Sequence, residues 1–126
     1  MKVFLYNVFI ITYWVIAFTL TPFNLKARAF TFGRLGFWKR LKEGFVKSEA
    51  PVAWFHCASL GEFEQGKPVM EAFKVKNPSH KILITFFSPS GFEQRKNYEG
   101  ADHVCYLPMD LPHNVNRFLN EVNPDI

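Results

Sequence analysis

One carboxylate stands out by its setting. Glu62 closes the tetrapeptide Ser59-Leu60-Gly61-Glu62, which follows directly on the apolar run Val52-Ala53-Trp54-Phe55-His56-Cys57-Ala58. A strand that ends in a small-residue turn delivers a lone acid to the edge of a sheet. Ligands of open α/β sheets bind in the crevice outside the carboxyl ends of the strands. A carboxylate held there can take the proton of a hydroxyl as that hydroxyl attacks. The same four residues also describe a helix start, with Ser59 as N-cap and Glu62 in the third position of a capping box. Both readings are open from these residues alone.

Two further turns have a similar make-up. Ser88-Pro89-Ser90-Gly91 follows the apolar segment 81–87, and Pro108-Met109-Asp110 follows 103–107. In a doubly wound sheet all three turns converge on one rim. Ser59, Ser88 and Ser90 offer hydroxyls there, Asp110 offers a second carboxylate, and helix amino termini offer unpaired N–H groups to anions. Ordinary helix capping is the competing use of each turn. Lys67 and Arg95 are candidate phosphate partners, with solvated helix charge as the alternative. No Gly-x-Gly-x-x-Gly and no P-loop spacing occurs, so neither a dinucleotide fingerprint nor a P-loop is present. The two cysteines, Cys57 and Cys105, form no CxxC and imply neither a disulfide framework nor a zinc site. His56 and Cys57 are adjacent on a strand and point to opposite faces, so a thiol–imidazole pair is disfavoured.

These residues need elements to hold them. Strands are expected over 52–58, 81–87 and 103–107. Helices are expected over 62–76, with Pro68 as a local conflict, from the 88–91 turn to Tyr98, and from Pro112 to Val122. Asn123-Pro124-Asp125-Ile126 opens a fourth strand. Strand and helix alternating in this way, with strands apolar on both faces, describe a parallel α/β sheet. Three such units and the start of another give the expectation of the amino-terminal part of a longer protein.

The first 48 residues differ from the rest. Val3 to Phe23 carries no charged side chain, and at about 1.5 Å per residue it reaches roughly 31 Å, enough to cross a bilayer core. Lys26, Arg28, Arg34, Lys39, Arg40, Lys42 and Lys47 follow, opposed only by Glu43. Positive flanks stay in the cytoplasm, so the expectation is an uncleaved single-pass anchor with its amino terminus outside. A signal peptide cut near Ala27-Arg28-Ala29 is the rival reading. Phe30, Phe32, Leu35, Phe37, Trp38, Leu41 and Phe45 alternate with the cations, a mixture suited to a helix lying on anionic lipid. The net charge of +4 sits largely in this stretch. Beside a membrane span, and with no nucleic-acid motif following, it does not indicate nucleic-acid binding. The division is therefore residues 1–48 as anchor and basic segment, and 49–126 as a partial α/β domain.

The ordered set Trp54-Phe55-His56-Cys57-Ala58-Ser59-Leu60-Gly61-Glu62, Ile84-Thr85-Phe86-Phe87-Ser88-Pro89-Ser90-Gly91, Tyr106-Leu107-Pro108-Met109-Asp110, Val115-Asn116-Arg117-Phe118-Leu119 and Asn123-Pro124-Asp125 resembles the amino-terminal part of the bacterial 3-deoxy-D-manno-octulosonic acid (Kdo) transferases. The resemblance implies a Rossmann-like acceptor domain of a GT-B glycosyltransferase. It implies transfer of Kdo from CMP-Kdo to a lipid A precursor at the cytoplasmic face of the inner membrane, with inversion and without metal or cofactor. Glu62 takes the place of the family's general base. Ser59, Gly61, Ser88, Ser90, Gly91 and Asp110 take the places of acceptor-binding residues. The donor domain of that family lies beyond the position matched by Ile126, so the segment alone is expected to be inactive. The second turn departs from the Thr-rich form common in the family, although its hydroxyls persist. A non-catalytic membrane-tethered α/β module and a GT-B transferase with another acceptor are the alternatives.

Overall fold

Three short segments apolar on both faces pair into one parallel sheet. The computed structural model describes residues 1–45 and 49–126. It places β1 (Val52–Cys57), β2 (Lys81–Phe86) and β3 (His103–Tyr106) in the order β1-β2-β3. His56 pairs with Thr85 in one ladder, and Thr85 with Cys105 in the next. The last residues run along the other edge of β1. Ile126 N–H donates to the Val52 carbonyl at 3.4 Å, and Trp54 N–H donates to the Ile126 carbonyl at 2.7 Å. One residue giving and receiving across a strand in this way makes a single parallel bridge, short of a fourth strand. The Asp125 carboxylate locks it by accepting the Val52 N–H at 2.8 Å.

Side-chain alternation along the strands divides the core in two. Ala53, Cys57, Ile82, Ile84 and Phe86 face α4 (Leu60–Lys76) and α5 (Pro89–Arg95), which bring Phe63, Met70 and Phe92. Val52, Leu83 and Cys105 face the opposite way, against Phe118 and Val122 of α6 (Pro112–Val122). The expected helix 62–76 starts at Leu60, two residues early, because Ser59 caps it there. Pro68 does not break it. Its missing N–H deprives only the carbonyl four residues back, that of Glu64, an exposed residue that water can serve.

The leader departs from expectation. The apolar run yields α1 (Lys2–Thr19), and the chain then turns, with the Asn24 side chain capping α2 (Leu25–Phe32) at the N–H groups of Lys26 and Ala27. Gly36, at φ +70°, makes the left-handed turn into α3 (Phe37–Gly44). The aromatic-basic stretch does not present its rings to lipid as a set. Phe30, Phe37, Leu41 and Phe45 are all buried, and Phe37, Leu41 and Phe45 complete the core on the α6 side of the sheet. The spacing of Phe37 and Leu41 forms one apolar helical face, which the sheet claims, while Lys39 and Lys42 stay exposed. Only Phe32 and Leu35 remain largely exposed. Lys47 of the basic run, and the boundary set after residue 48, lie outside the described residues.

Candidate active site at the carboxyl rim of the sheet

Glu62 is held by one oxygen and open at the other. Ser59 Oγ accepts the Glu62 N–H at 3.3 Å, which fixes the first turn of α4. The carboxylate folds back so that Oε2 accepts the Ala58 N–H at 2.6 Å. This is a capping box displaced by one residue, since the usual partner is the N–H of the N-cap itself. Oε1 receives no hydrogen bond among the described residues, and the side chain is exposed. The capping and chemical readings of Glu62 are therefore compatible: each uses a different oxygen.

The first two turns lie side by side. Ser88 N–H donates to the Ala58 carbonyl at 3.0 Å, and Phe87 N–H to the Cys57 carbonyl at 3.3 Å. Gly91 is what allows this approach. A Cβ there would stand 2.7 Å from the Phe86 ring and 3.1 Å from Leu60 N. Ser88 Oγ caps α5 at the Gly91 N–H, 3.2 Å away, and lies 3.4 Å from Ser90 Oγ. Gly61 leaves its surroundings open, with only Ser59 Oγ in ordinary contact. Glu62, Ser59, Gly61, Ser88, Ser90 and Gly91 thus share one ledge.

Asp110 stands apart from that ledge, where it accepts a hydrogen bond from the Tyr6 hydroxyl of α1. It lines two cavities. One, of about 330 Å³, lies between α1 and the rim and is walled by Tyr6, Tyr13, Phe30, Arg34 and Phe87. The other, of about 280 Å³, opens between Trp54 of β1 and Val115, Phe118 and Leu119 of α6. Lys67 and Arg95 are engaged with carboxylates: Lys67 with Glu71 at 3.8 Å, and Arg95 Nε with Glu64 at 2.9 Å.

Several residues gain roles that their types did not announce. Arg34, 8% exposed, donates to the carbonyls of Phe30, Phe87 and Leu107 at 2.9–3.0 Å and stacks 3.9 Å from the Phe30 ring. Desolvation lowers its pKa to about 10, so it remains a cation at neutral pH. Thr85, fully buried in β2, lies 2.9 Å from both Trp54 Nε1 and His56 Nδ1. A lone hydroxyl residue inside the apolar run 82–87 was the available signal for it. Burial, with the Glu62 charge second, raises the Cys57 thiol, and burial pushes Cys105 up to about 12. Neither is a thiolate nucleophile at neutral pH.

The described residues thus form an α/β domain, a three-stranded parallel sheet with helices on both faces, whose turns gather hydroxyls, N–H groups and one half-free carboxylate at the carboxyl rim. Residues 31–126 match the model of the 3-deoxy-D-manno-octulosonic-acid transferase (kdotransferase) family, and the chain belongs to that family. It is 29% identical over 128 residues to the 3-deoxy-D-manno-octulosonic acid transferase of Chlamydia trachomatis serovar D, covering 97% of this chain and 29% of the relative. The enzyme of the same name from Haemophilus influenzae is 37% identical over 75 residues, covering 58% of this chain and 17% of the relative. That of Aquifex aeolicus is 39% identical over 74 residues, covering 58% and 20% respectively. The chain thus spans less than a third of the length of these relatives. No solved structure matches it.

Proposed function

We propose that this chain is the acceptor-binding part of a glycosyltransferase that moves Kdo from CMP-Kdo to a hydroxyl of a lipid A precursor during lipopolysaccharide assembly. Family membership supports the sugar and the reaction class. The order β3-β2-β1 with the last residues beyond β1 supports a Rossmann-like half of a GT-B enzyme, because the winding then reverses at β1. Glu62 sits just past that reversal. The observation that carries the proposal is the split use of its carboxylate, one oxygen pinned by Ala58 N–H and one unclaimed.

The chemistry follows from that split. The acceptor hydroxyl approaches Oε1, and its proton passes to the carboxylate as the hydroxyl oxygen bonds to the anomeric carbon of Kdo. The bond from that carbon to the phosphate oxygen of CMP breaks, and CMP leaves with the electron pair. Attack opposite the leaving group inverts the anomeric centre. Water then takes the proton from Glu62. Helix N–H groups and cations stabilise the departing phosphate in a metal-independent reaction. Ser59, Gly61, Ser88, Ser90 and Gly91 form the ledge for the acceptor, and Asp110 its far side. The CMP-Kdo donor is held chiefly by a second α/β domain, without which the segment does not turn over. No further cofactor and no nucleic acid takes part.

Residues 1–48 attach the acceptor domain, residues 49–126, to the cytoplasmic face of the inner membrane. Span length and flanking charge support a single-pass α1. The Tyr6–Asp110 hydrogen bond favours a second reading, α1 lying in the plane of the membrane against the domain.

The base assignment is tested by Glu62→Gln in the full-length protein. Gln keeps an oxygen for the Ala58 N–H and loses proton affinity. Kdo transfer is expected to fall by at least ~100-fold, with unchanged membrane binding and Tm. Turnover within a few-fold of wild type removes Glu62 as the base.

A further inference from the structure

On the α6-facing side of the sheet, three polar side chains are joined by two hydrogen bonds that meet at Thr85. Trp54 and His56 alternate on β1, and Thr85 stands opposite His56 on β2. The Thr85 oxygen is 2.9 Å from Trp54 Nε1 and 2.9 Å from His56 Nδ1, and Thr85 is fully buried. An indole N–H can only donate. The buried hydroxyl proton of Thr85 therefore has one acceptor among its two partners, His56 Nδ1. That leaves the imidazole neutral, with its proton on Nε2.

The ring is not buried with its partners. His56 is exposed overall, while its Nδ1 lies against the buried Thr85 hydroxyl. His56 precedes Ala58, whose N–H anchors the Glu62 carboxylate, by two residues, or about 7 Å of strand. Desolvation, the largest influence on His56, lowers its pKa from the ordinary 6.5 and outweighs the opposing effects of the Glu62 charge and of the Thr85 backbone.

We infer that His56 is a substrate-binding residue of this site, its fixed Nε2–H donating a hydrogen bond to a hydroxyl or carboxylate oxygen of the sugar held beside Glu62. This rests on the transferase reading given above. A neutral imidazole with its proton outward cannot take a proton from a hydroxyl at Nε2. It complements the base and does not duplicate it. Thr85 is then a positioning residue, since it sets the tautomer from within the sheet, and Trp54 directs the Thr85 hydroxyl by donating to it.

The test uses the full-length protein. Nitrogen-15 NMR of the imidazoles is expected to show His56 unprotonated at Nδ1 and protonated at Nε2 at neutral pH. Thr85→Val is expected to release the ring into a mixture of tautomers. His56→Ala is expected to lower kcat/KM by about 10- to 100-fold, the worth of one hydrogen bond to a polar or charged oxygen. The rise in KM, read separately for CMP-Kdo and for the lipid acceptor, identifies which sugar is held. His56→Gln, which still offers an N–H, is expected to recover most of the loss. A proton found on Nδ1, or wild-type kcat/KM in His56→Ala, overturns the inference. An active Glu62→Gln enzyme sinks the base assignment but leaves the tautomer and the His56→Ala loss standing, so the two failures are distinguishable.

Discussion

His103 opens β3 with an imidazole Nε2 that is buried and has no hydrogen-bond partner among the described residues, its ring 6.3 Å from that of Phe45. Desolvation alone lowers its pKa from the ordinary 6.5. The unfolded chain therefore binds a proton near pH 6.5, while the folded chain resists it to lower pH. Stability is full above about pH 6.5 and is lost as the pH falls toward the folded value. His56, lowered in the same direction, adds to the slope. Replacing His103 by Phe removes one buried titrating group and keeps an aromatic ring of similar size. The variant is expected to lose less Tm than wild type between about pH 7 and pH 5. Parallel curves for the two proteins would show that His103 takes up its proton over the same pH range in the folded and the unfolded chain, and would overturn the assignment.

The elements are joined by contacts that only the assembled sheet reveals. Arg34 links the α2–α3 connection to the residues that follow β2 and β3, through the carbonyls of Phe87 and Leu107. Lysine would keep the charge but not the fork that reaches three carbonyls. Arg34→Lys is expected to destabilise the domain by about 2–3 kcal/mol, from two lost charge-assisted hydrogen bonds at a buried site, measured by urea unfolding. A change under about 0.5 kcal/mol would mean that water replaces the fork freely. The three strands and α6 were legible in the chain because parallel strands covered on both faces read as apolar runs, and Pro112 marks a helix start. The destination of α3 was not legible. Phe37, Leu41 and Phe45 amid cations suit a lipid surface and a sheet face equally, and only packing decides between them. At the rim, Glu62 and the Ser59 and Ser88 caps followed from local spacing. The Trp54–Thr85–His56 chain did not, because it exists only once strand register sets His56 beside Thr85.

At the scale of the whole molecule, α1 has two faces that make different demands. Tyr6, Tyr13 and Ala17 turn inward: Tyr6 bonds Asp110, Tyr13 packs edge-on against Phe30 at 5.6 Å, and Ala17 is buried. Phe4, Val8, Ile11, Val15 and Phe18 form a stripe at helical spacing on the outside, all of them exposed. Tyr6 lies 13 residues before the end of α1 at Thr19, roughly 20 Å along the axis. An α1 that crossed the bilayer with its amino terminus outside would carry Tyr6 deep into the hydrocarbon, away from Asp110. An α1 lying in the interface keeps the bond and sinks the outer stripe into the leaflet, with the carboxyl rim of the sheet held close to the lipid. The two arrangements put Lys2 on opposite sides of the membrane. Cysteine placed at position 2 is therefore expected to react with a membrane-impermeant maleimide only after the inner membrane is broken, with Cys57 and Cys105 silent because both are buried. Reaction from the periplasmic side of intact membranes would establish the spanning arrangement and require the Tyr6–Asp110 contact to be absent when α1 is inserted.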